Sequence, residues 1–398
     1  MTVRANHAMT LALILLLTGS LAGCGGRAAL KRPTIFYPPL PQQPRIQFLT
    51  HYQNSDDLGA KSGGFRQFIT GETTFKQALN KPHDVAYYDG KLYVCDSRRS
   101  EVVIMDIVNK KISSLGAEEG IAFGKPIGIS ISADGDKYIA DNFRKRVYVF
   151  DSLDRFSDYL GEDGQFGPTS VAVYGDRLYV ADPGQSEVEV LQRRTGETIE
   201  VVKGSDESEF GPFRMPVNLA VDYQGNLYVS DLLANTIHVF DSELNYLRNI
   251  GRPGDTYGTF ARARGVAVDS SGYVYAADAA FENVQIFDPQ GTLNLFFGGP
   301  GTAPGNMYLP SGISISYENL EPFSAFVDRR FDLDYVIFVA NQYGPNGVSV
   351  YGFGGGKSGN FKVSGGATRA PQEKPSLRSP ADTTAERVSD SASAEDER

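Results

Sequence analysis

The amino-acid sequence predicts an all-β fold: one six-bladed β-propeller over residues 45–356, with four antiparallel strands per blade and a ring closed by an N-terminal strand. Three observations carry this. First, six segments repeat: KPHDVAYYDGKLYVCD from Lys81, KPIGISISADGDKYIAD from Lys125, GPTSVAVYGDRLYVAD from Gly167, MPVNLAVDYQGNLYVSD from Met215, RARGVAVDSSGYVYAAD from Arg262 and LPSGISIS from Leu309, the last resuming at Tyr335 to Asn341 (YVIFVAN). Second, the column Pro82, Pro126, Pro168, Pro216, Ala263, Pro310 recurs at spacings of 44, 42, 48, 47 and 47 residues, a period typical of propellers, solenoids and arrays. Third, apolar residues alternate with polar or small ones inside each unit, as in Val266-Ala267-Val268, and turns such as Ser270-Ser271-Gly272 join successive runs. That pattern marks strands linked by hairpins.

Each unit supplies further strands in order. A third run follows at Val102–Met105, Val147–Phe150, Val188–Leu191, Ile237–Phe240, Val284–Phe287 and Val348–Tyr351, and a weaker fourth run ends in glycine at Gly116, Gly161, Gly204, Gly251 and Gly298. Unit six lacks the fourth run, because the chain passes from Tyr351 into FGGGKSGN, a stretch without P-loop spacing around Lys357-Ser358 that reads as a linker. An incomplete blade would leave a sheet edge open. Arg45–Tyr52 (RIQFLTHY) alternates like a strand ahead of unit one and is assigned as the missing outer strand of blade six, with Asn360–Ser364 (NFKVS) the poorer rival. Two insertions, Lys61–Asn80 with a candidate short helix at TTFKQALN and Tyr317–Asp334, enlarge the loop surface.

The chain ends read differently from its middle. Arg4 followed by the short apolar run Met9–Leu17 has the shape of an export signal rather than a membrane span. Leu21-Ala22-Gly23-Cys24 resembles the bacterial lipobox, which implies a signal at 1–23, cleavage before Cys24 and acylation (palmitate class) of its sulfur. Each buried acyl methylene contributes about 0.8 kcal/mol, so two or three chains anchor durably. Gly25 in place of an aspartate after the cysteine points to the outer membrane. Residues 24–44, with Tyr37-Pro-Pro-Leu-Pro, are expected to form an extended tether, and 357–398, rich in Ser, Ala, Pro, Glu and Asp, a disordered tail. The one other cysteine, Cys95, stands where other units carry Ala or Ser, so it reads as a small buried hydrophobe without a disulfide. A net charge of −10 with no basic run argues against a nucleic-acid partner.

The pattern PxGIxxxxxGxxYVAD, met by Pro126-Ile-Gly-Ile and by Tyr179-Val-Ala-Asp182, resembles the NHL repeat of six-bladed propellers over about residues 81–356. YPPLPQQPRIQFL further resembles bacterial propeller lipoproteins of that group, whose biochemical role is not established. The resemblance implies a fold, not an activity.

Asp96, Asp141, Asp182, Asp231 and Asp278, with Asn341 in unit six, recur at one strand end and are expected to accept backbone N–H groups of the following turn. A ligand site belongs at the channel mouth, where innermost strands begin. There His83, Asp84, Asn142, Asn218 and Arg264 stand out: Asp84, Asn142 and Asn218 are oxygen donors suited to Ca²⁺, and His83 and Arg264 suit an anionic group. Propeller lyases of the amidating kind converge several histidines on zinc, whereas His51, His83 and His238 fall on an outer strand, a strand mouth and a third strand. Six-bladed lactonases bring a glutamate, asparagines and an aspartate to a metal, which Asp84, Asn142 and Asn218 match in part. The expectation is a non-catalytic binding or scaffold propeller of the cell envelope, without a resident cofactor and engaging a protein or polymer. The alternative is a metal-dependent lactonase or lyase.

Overall fold

The computed structural model describes residues 34–59, 79–161 and 167–356. The export signal, Cys24, residues 61–78 of the first insertion, the rival strand Asn360–Ser364 and the 357–398 tail lie outside the described residues. Strands β1 (Ile35–Tyr37) and β2 (Ile46–Tyr52) precede five four-stranded blades and the three strands of a sixth, whose sheet β2 and β1 extend to five strands. Blade one comprises β3 (Pro82–Tyr88), β4 (Lys91–Asp96), β5 (Glu101–Asp106) and β6 (Lys111–Ser114); blade two β7 (Pro126–Ile131), β8 (Lys137–Asp141), β9 (Arg146–Phe150) and β10 (Phe156–Leu160). Blade three comprises β11 (Ser170–Tyr174), β12 (Arg177–Asp182), β13 (Glu187–Gln192) and β14 (Thr198–Val202); blade four β15 (Pro216–Val221), β16 (Leu227–Asp231), β17 (Thr236–Phe240) and β18 (Tyr246–Ile250). Blade five comprises β19 (Ala263–Val268), β20 (Val274–Asp278), β21 (Asn283–Phe287) and β22 (Leu293–Gly298), and blade six begins with β23 (Pro310–Ser316), β24 (Phe331–Asn341) and β25 (Val348–Gly356).

The ring closes through β2, antiparallel to β25 from Ile46↔Phe353 to Tyr52↔Val348. Alternation in RIQFLTHY makes this possible, because Ile46 and Phe48 pack into the cluster between blades five and six, and Leu49 and Tyr52, at and beyond a bulge near Leu49, into the cluster between blades six and one. Their burial stabilises closure by roughly 1.5–3 kcal/mol each.

Two expectations around this seam are corrected. Ile35–Tyr37, assigned to a tether over 24–44, forms a fifth strand on β2, with Phe36 buried and Tyr37 Oη donating to Gly305 O at 2.8 Å. Its prolines shape a turn, Gln42 N to Pro39 O and Arg45 N to Tyr37 O, rather than a rod. The glycines after Tyr351, read as a linker, continue β25 to Gly356 and pair with β24 as far back as Phe331. Glycine is required there by close approach: a Cβ at Gly354 would collide with Asp332 O. The insertion before β24 carries a 3₁₀ turn, Glu321–Phe326, whose Phe323 is fully buried.

Packing is distributed around the ring. Six apolar clusters form among the described residues, one at each interface between adjacent blades. Each interface receives a buried aromatic three residues before the strand-end acid: Tyr93, Tyr138, Tyr179, Tyr228, Tyr275 and, in blade six, Phe338. One position breaks the pattern. Where other blades place Leu92, Leu178, Leu227, Val274 and Ile337, blade two buries Lys137, whose Nζ pairs with Asp154 at 2.7 Å and donates to Asp151 O and Ser152 O at 2.9 Å. All three ammonium protons are thereby matched, which is the condition for burying a charge.

Candidate binding site at the channel mouth

The strand-end acids fix the mouth. Asp231 accepts Leu233 N and Ala234 N of the following turn at 3.1 and 2.9 Å, as the sequence suggests, and also Arg214 N and Met215 N of the segment leading into the innermost strand, at 2.6 and 3.0 Å. Asp96, Asp141 and Asp278 repeat this double grip. Asn341 serves blade six with its oxygen on Tyr308 N and its amide nitrogen donating to Asn346 O and Ser349 Oγ. One carboxylate, or the Asn341 amide in blade six, thus holds the start of the inner strand against the turn after the second strand. Both carry the mouth residues.

Two positions after the proline column, the inner strands read Asp84, Gly128, Ser170, Asn218, Gly265 and Gly312. The side-chain oxygens here reach the next blade: Asp84 Oδ2 accepts Ile129 N at 3.0 Å, Ser170 Oγ accepts Leu219 N at 3.1 Å, and Asn218 Oδ1 accepts Val266 N at 2.9 Å. Glycine occupies the column where the neighbour crowds in. A Cβ at Gly265 would strike Ser311 O, and one at Gly312 would strike Asp84. Ser311 Oγ adds a fourth such bond, donating to His83 O at 2.7 Å between blades six and one. Hydrogen bonds from this part of the inner strands therefore cross four of the six blade interfaces around the channel.

These bonds employ two of the three residues singled out as oxygen ligands, Asp84 and Asn218. Asp84 also accepts Val85 N at 2.9 Å, and burial pushes its carboxyl up to about 7 against the opposing pull of those two N–H donors. Asn142 lies elsewhere, its amide donating to Gly167 O of blade three at 3.0 Å. Among the described residues no group of three or more His, Cys, Asp or Glu is placed to hold a metal ion. His51 and His238 stand on β2 and β17, away from His83. His238 Nε2 is 3.9 Å from Asp231, yet burial holds the imidazole down at about 4, so it is a neutral ring. Cys95 is buried, its thiol raised by burial first and by nearby carboxylates second.

The mouth opens into a cavity of about 250 Å³ that brings together His83, Asn218 and Arg264. Beneath it, a cavity of about 270 Å³ is walled by inner-strand residues that include Asp84, Ser130, Asn218 and Ser314 beside aliphatic ones. The upper cavity is cationic. His83 is held down at about 3 by burial and then by the charges of Lys81, Arg264 and Lys125, while burial and Arg262 lower Arg264. Lys125 lines the cavity and escaped the sequence reading, although a signal existed: the residue before the proline column is basic in three units, at Lys81, Lys125 and Arg262.

No protein-family model matches the chain. A stretch of 149 residues, 36% of the chain, is 27% identical to Protein brain tumor of Drosophila melanogaster. The match spans 14% of that protein's length. Among solved structures, a structural-genomics protein of unknown function from Bacteroides thetaiotaomicron superposes with a TM-score of 0.55 at 14% identity, covering 78% of this chain and 76% of that one. Virginiamycin B lyase from Staphylococcus aureus gives 0.47 at 10% identity, with 69% and 85% covered. At these identities the likeness carries the fold alone, and the fold is a six-bladed β-propeller.

Proposed function

We propose that this chain is a non-catalytic binding or scaffold propeller of the bacterial cell envelope, held at the outer membrane by acyl chains on Cys24 and engaging an envelope protein or polymer through its mouth-side loops. The observation that carries the reading is the commitment of Asp84, Asn142 and Asn218 to neighbouring blades, which takes up the oxygen ligands that a metal-dependent active site at the channel would need. The rim adds support. Phe143, Leu233 and Tyr343 each lie two residues beyond the strand-end column, on blades two, four and six, and are 72, 60 and 39% exposed. Apolar side chains repeated around a polar opening suit a partner better than they suit water.

The test is site-specific photo-crosslinking in native membranes, with the crosslinker placed in turn at Phe143, Leu233 and Tyr343 and, as a control, at Ile199 on an outermost strand. The reading expects a common adduct from the three rim positions, absent from Ile199, and release of the chain from membranes in Cys24→Ser. Adducts from Ile199 alone, or equal acyl-probe labelling of wild type and Cys24→Ser, would overturn the corresponding half of the proposal.

A further inference from the structure

Elsewhere in the molecule, buried cations are neutralised. Lys137 faces Asp154 at 2.7 Å, and Arg193, 7% exposed, faces Asp134 at 2.6 Å. The mouth cavity differs. His83, Lys125 and Arg264 line it, no acidic residue lines it, and neither Lys125 nor Arg264 forms an ion pair among the described residues. In a chain of net charge −10, this is a local reversal of sign. His83 sharpens it. The Gln342 amide nitrogen lies 3.5 Å from Nδ1, and Nε2 is buried and has no hydrogen-bond partner. An unpartnered ring nitrogen thus lies beside a guanidinium and an ammonium without their anion. Ile127, Met215, Val217 and Leu232 supply an apolar part of the wall, and the polar side chains that also line it, Thr169, Asn218 and Ser311, already donate to Ala181 O, Ser170 Oγ and His83 O.

We propose that the channel mouth is a carboxylate-binding site, in which Arg264 and Lys125 pair with the carboxylate, His83 Nε2–H donates to it, and an apolar body rests on Val217 and Leu232. The inference rests on the binding reading above and names the chemistry of what is bound. A carboxylate fits better than a phosphate because the apolar wall would leave a phosphate's further oxygens without donors. Its source is either a free organic acid or an acidic side chain of the partner that covers the rim.

The experiment uses the full chain in detergent, with phenylacetate, its neutral analogue phenylacetamide, inorganic phosphate and a glutamate-rich peptide as probes, read by thermal shift, calorimetry and the ¹⁵N signal of His83 Nε2. Phenylacetate is expected to raise Tm and move the Nε2 signal while phenylacetamide does neither, and Arg264→Gln or Lys125→Gln is expected to weaken binding about tenfold or more, as for loss of one charge-assisted contact. Tighter binding of the peptide than of phenylacetate assigns the carboxylate to a partner side chain; the reverse order assigns it to a free acid. Because Arg264 lacks a counter-charge, unliganded Arg264→Gln is expected to melt no lower than wild type, which a purely structural arginine would not allow. Phosphate binding without phenylacetate or peptide binding overturns the carboxylate assignment. No response to any anion overturns the site, while leaving the rim crosslinks, and hence the partner reading, standing or falling by themselves. Lys125, on the exposed lip, provides a variant that does not depend on the folding of Arg264→Gln.

Discussion

Two columns of residues frame the channel mouth, and they treat sequence in opposite ways. The strand-end column repeats one solution, a carboxylate or its amide in all six blades, and each member spends its oxygens on its own blade's backbone. The inner column reads Asp84, Gly128, Ser170, Asn218, Gly265 and Gly312, and its members address the next blade. The difference follows from what each side chain faces. Geometry inside a blade recurs with every hairpin pair, so one residue type serves throughout. Geometry between blades varies with how closely two strands approach, so the same position needs a long acceptor at one interface and no side chain at another.

The largest perturbation removes the ring on which both columns depend. A chain starting at Gly59 lacks β1 and β2 and with them the burial of Phe36, Ile46, Phe48, Leu49 and Tyr52. At roughly 1.5–3 kcal/mol per side chain the loss reaches or exceeds the stability of an ordinary domain. Urea unfolding should lose its cooperative transition, and an unchanged midpoint and slope would contradict the closure.

Next in size is Asp231→Ala, which strands four buried or half-buried N–H groups and is expected to cost about 3–5 kcal/mol. Asp231→Asn should recover part of this, as Asn341 does naturally in blade six. Equal losses from the two variants would mean that charge rather than acceptor geometry governs the column. Lys137→Leu tests the one interface that departs from the apolar pattern. Leucine matches the other blades but leaves Asp154 with only Lys91 and Tyr93, so the change should fall within about 1–2 kcal/mol of neutral, against a loss of about 3 kcal/mol or more for Lys137→Ala.

Asp84→Asn is expected to cost less, about 1–2 kcal/mol, because the amide can still accept from Ile129 N. Its mark is in the pH dependence. The folded carboxyl is raised to about 7, above its ordinary 3.8, so the folded chain holds a proton that the unfolded chain releases. That contribution is complete below about pH 4 and is lost as pH rises towards 7. The stability of Asp84→Asn relative to wild type should therefore improve over that window in denaturant titrations, and a constant difference would contradict the buried, protonatable site. His83 and His238, both lowered, act in the other direction: their contribution is present above about pH 6.5 and is lost as pH falls towards 4 and below. Smallest of all is Asn142→Ala, which removes one hydrogen bond to Gly167 O and should cost about 1 kcal/mol.

Legibility in the sequence follows the same division. The blades, the closing strand and the strand-end column could be read because they are local and repeat every forty-odd residues. The work of Asp84 and Asn218 could not, because Ile129 and Val266 lie in other repeats and no pattern within one unit connects them. Gly352–Gly356 misled for a related reason: the same residue type serves a flexible linker and a strand pressed against Asp332 and Leu333, and only the neighbour distinguishes them. Tyr37-Pro-Pro-Leu-Pro suggested a rod because the partner that makes Ile35–Tyr37 a strand is β2 itself, already assigned to an edge. Lys125 is legible in the basic column before the prolines, with Lys81 and Arg262.

The central proposal is that the oxygen-bearing side chains around the channel serve to hold blades together rather than to hold a metal. The most direct measurement is a thermal melt of metal-free protein titrated with Ca²⁺, Mn²⁺ and Zn²⁺, run in parallel on wild type and Asp84→Ala. The account predicts that no ion raises the wild-type Tm in a saturable way and that Asp84→Ala melts lower whether or not metal is present. A saturable rise with one ion, abolished by Asp84→Ala, would contradict it.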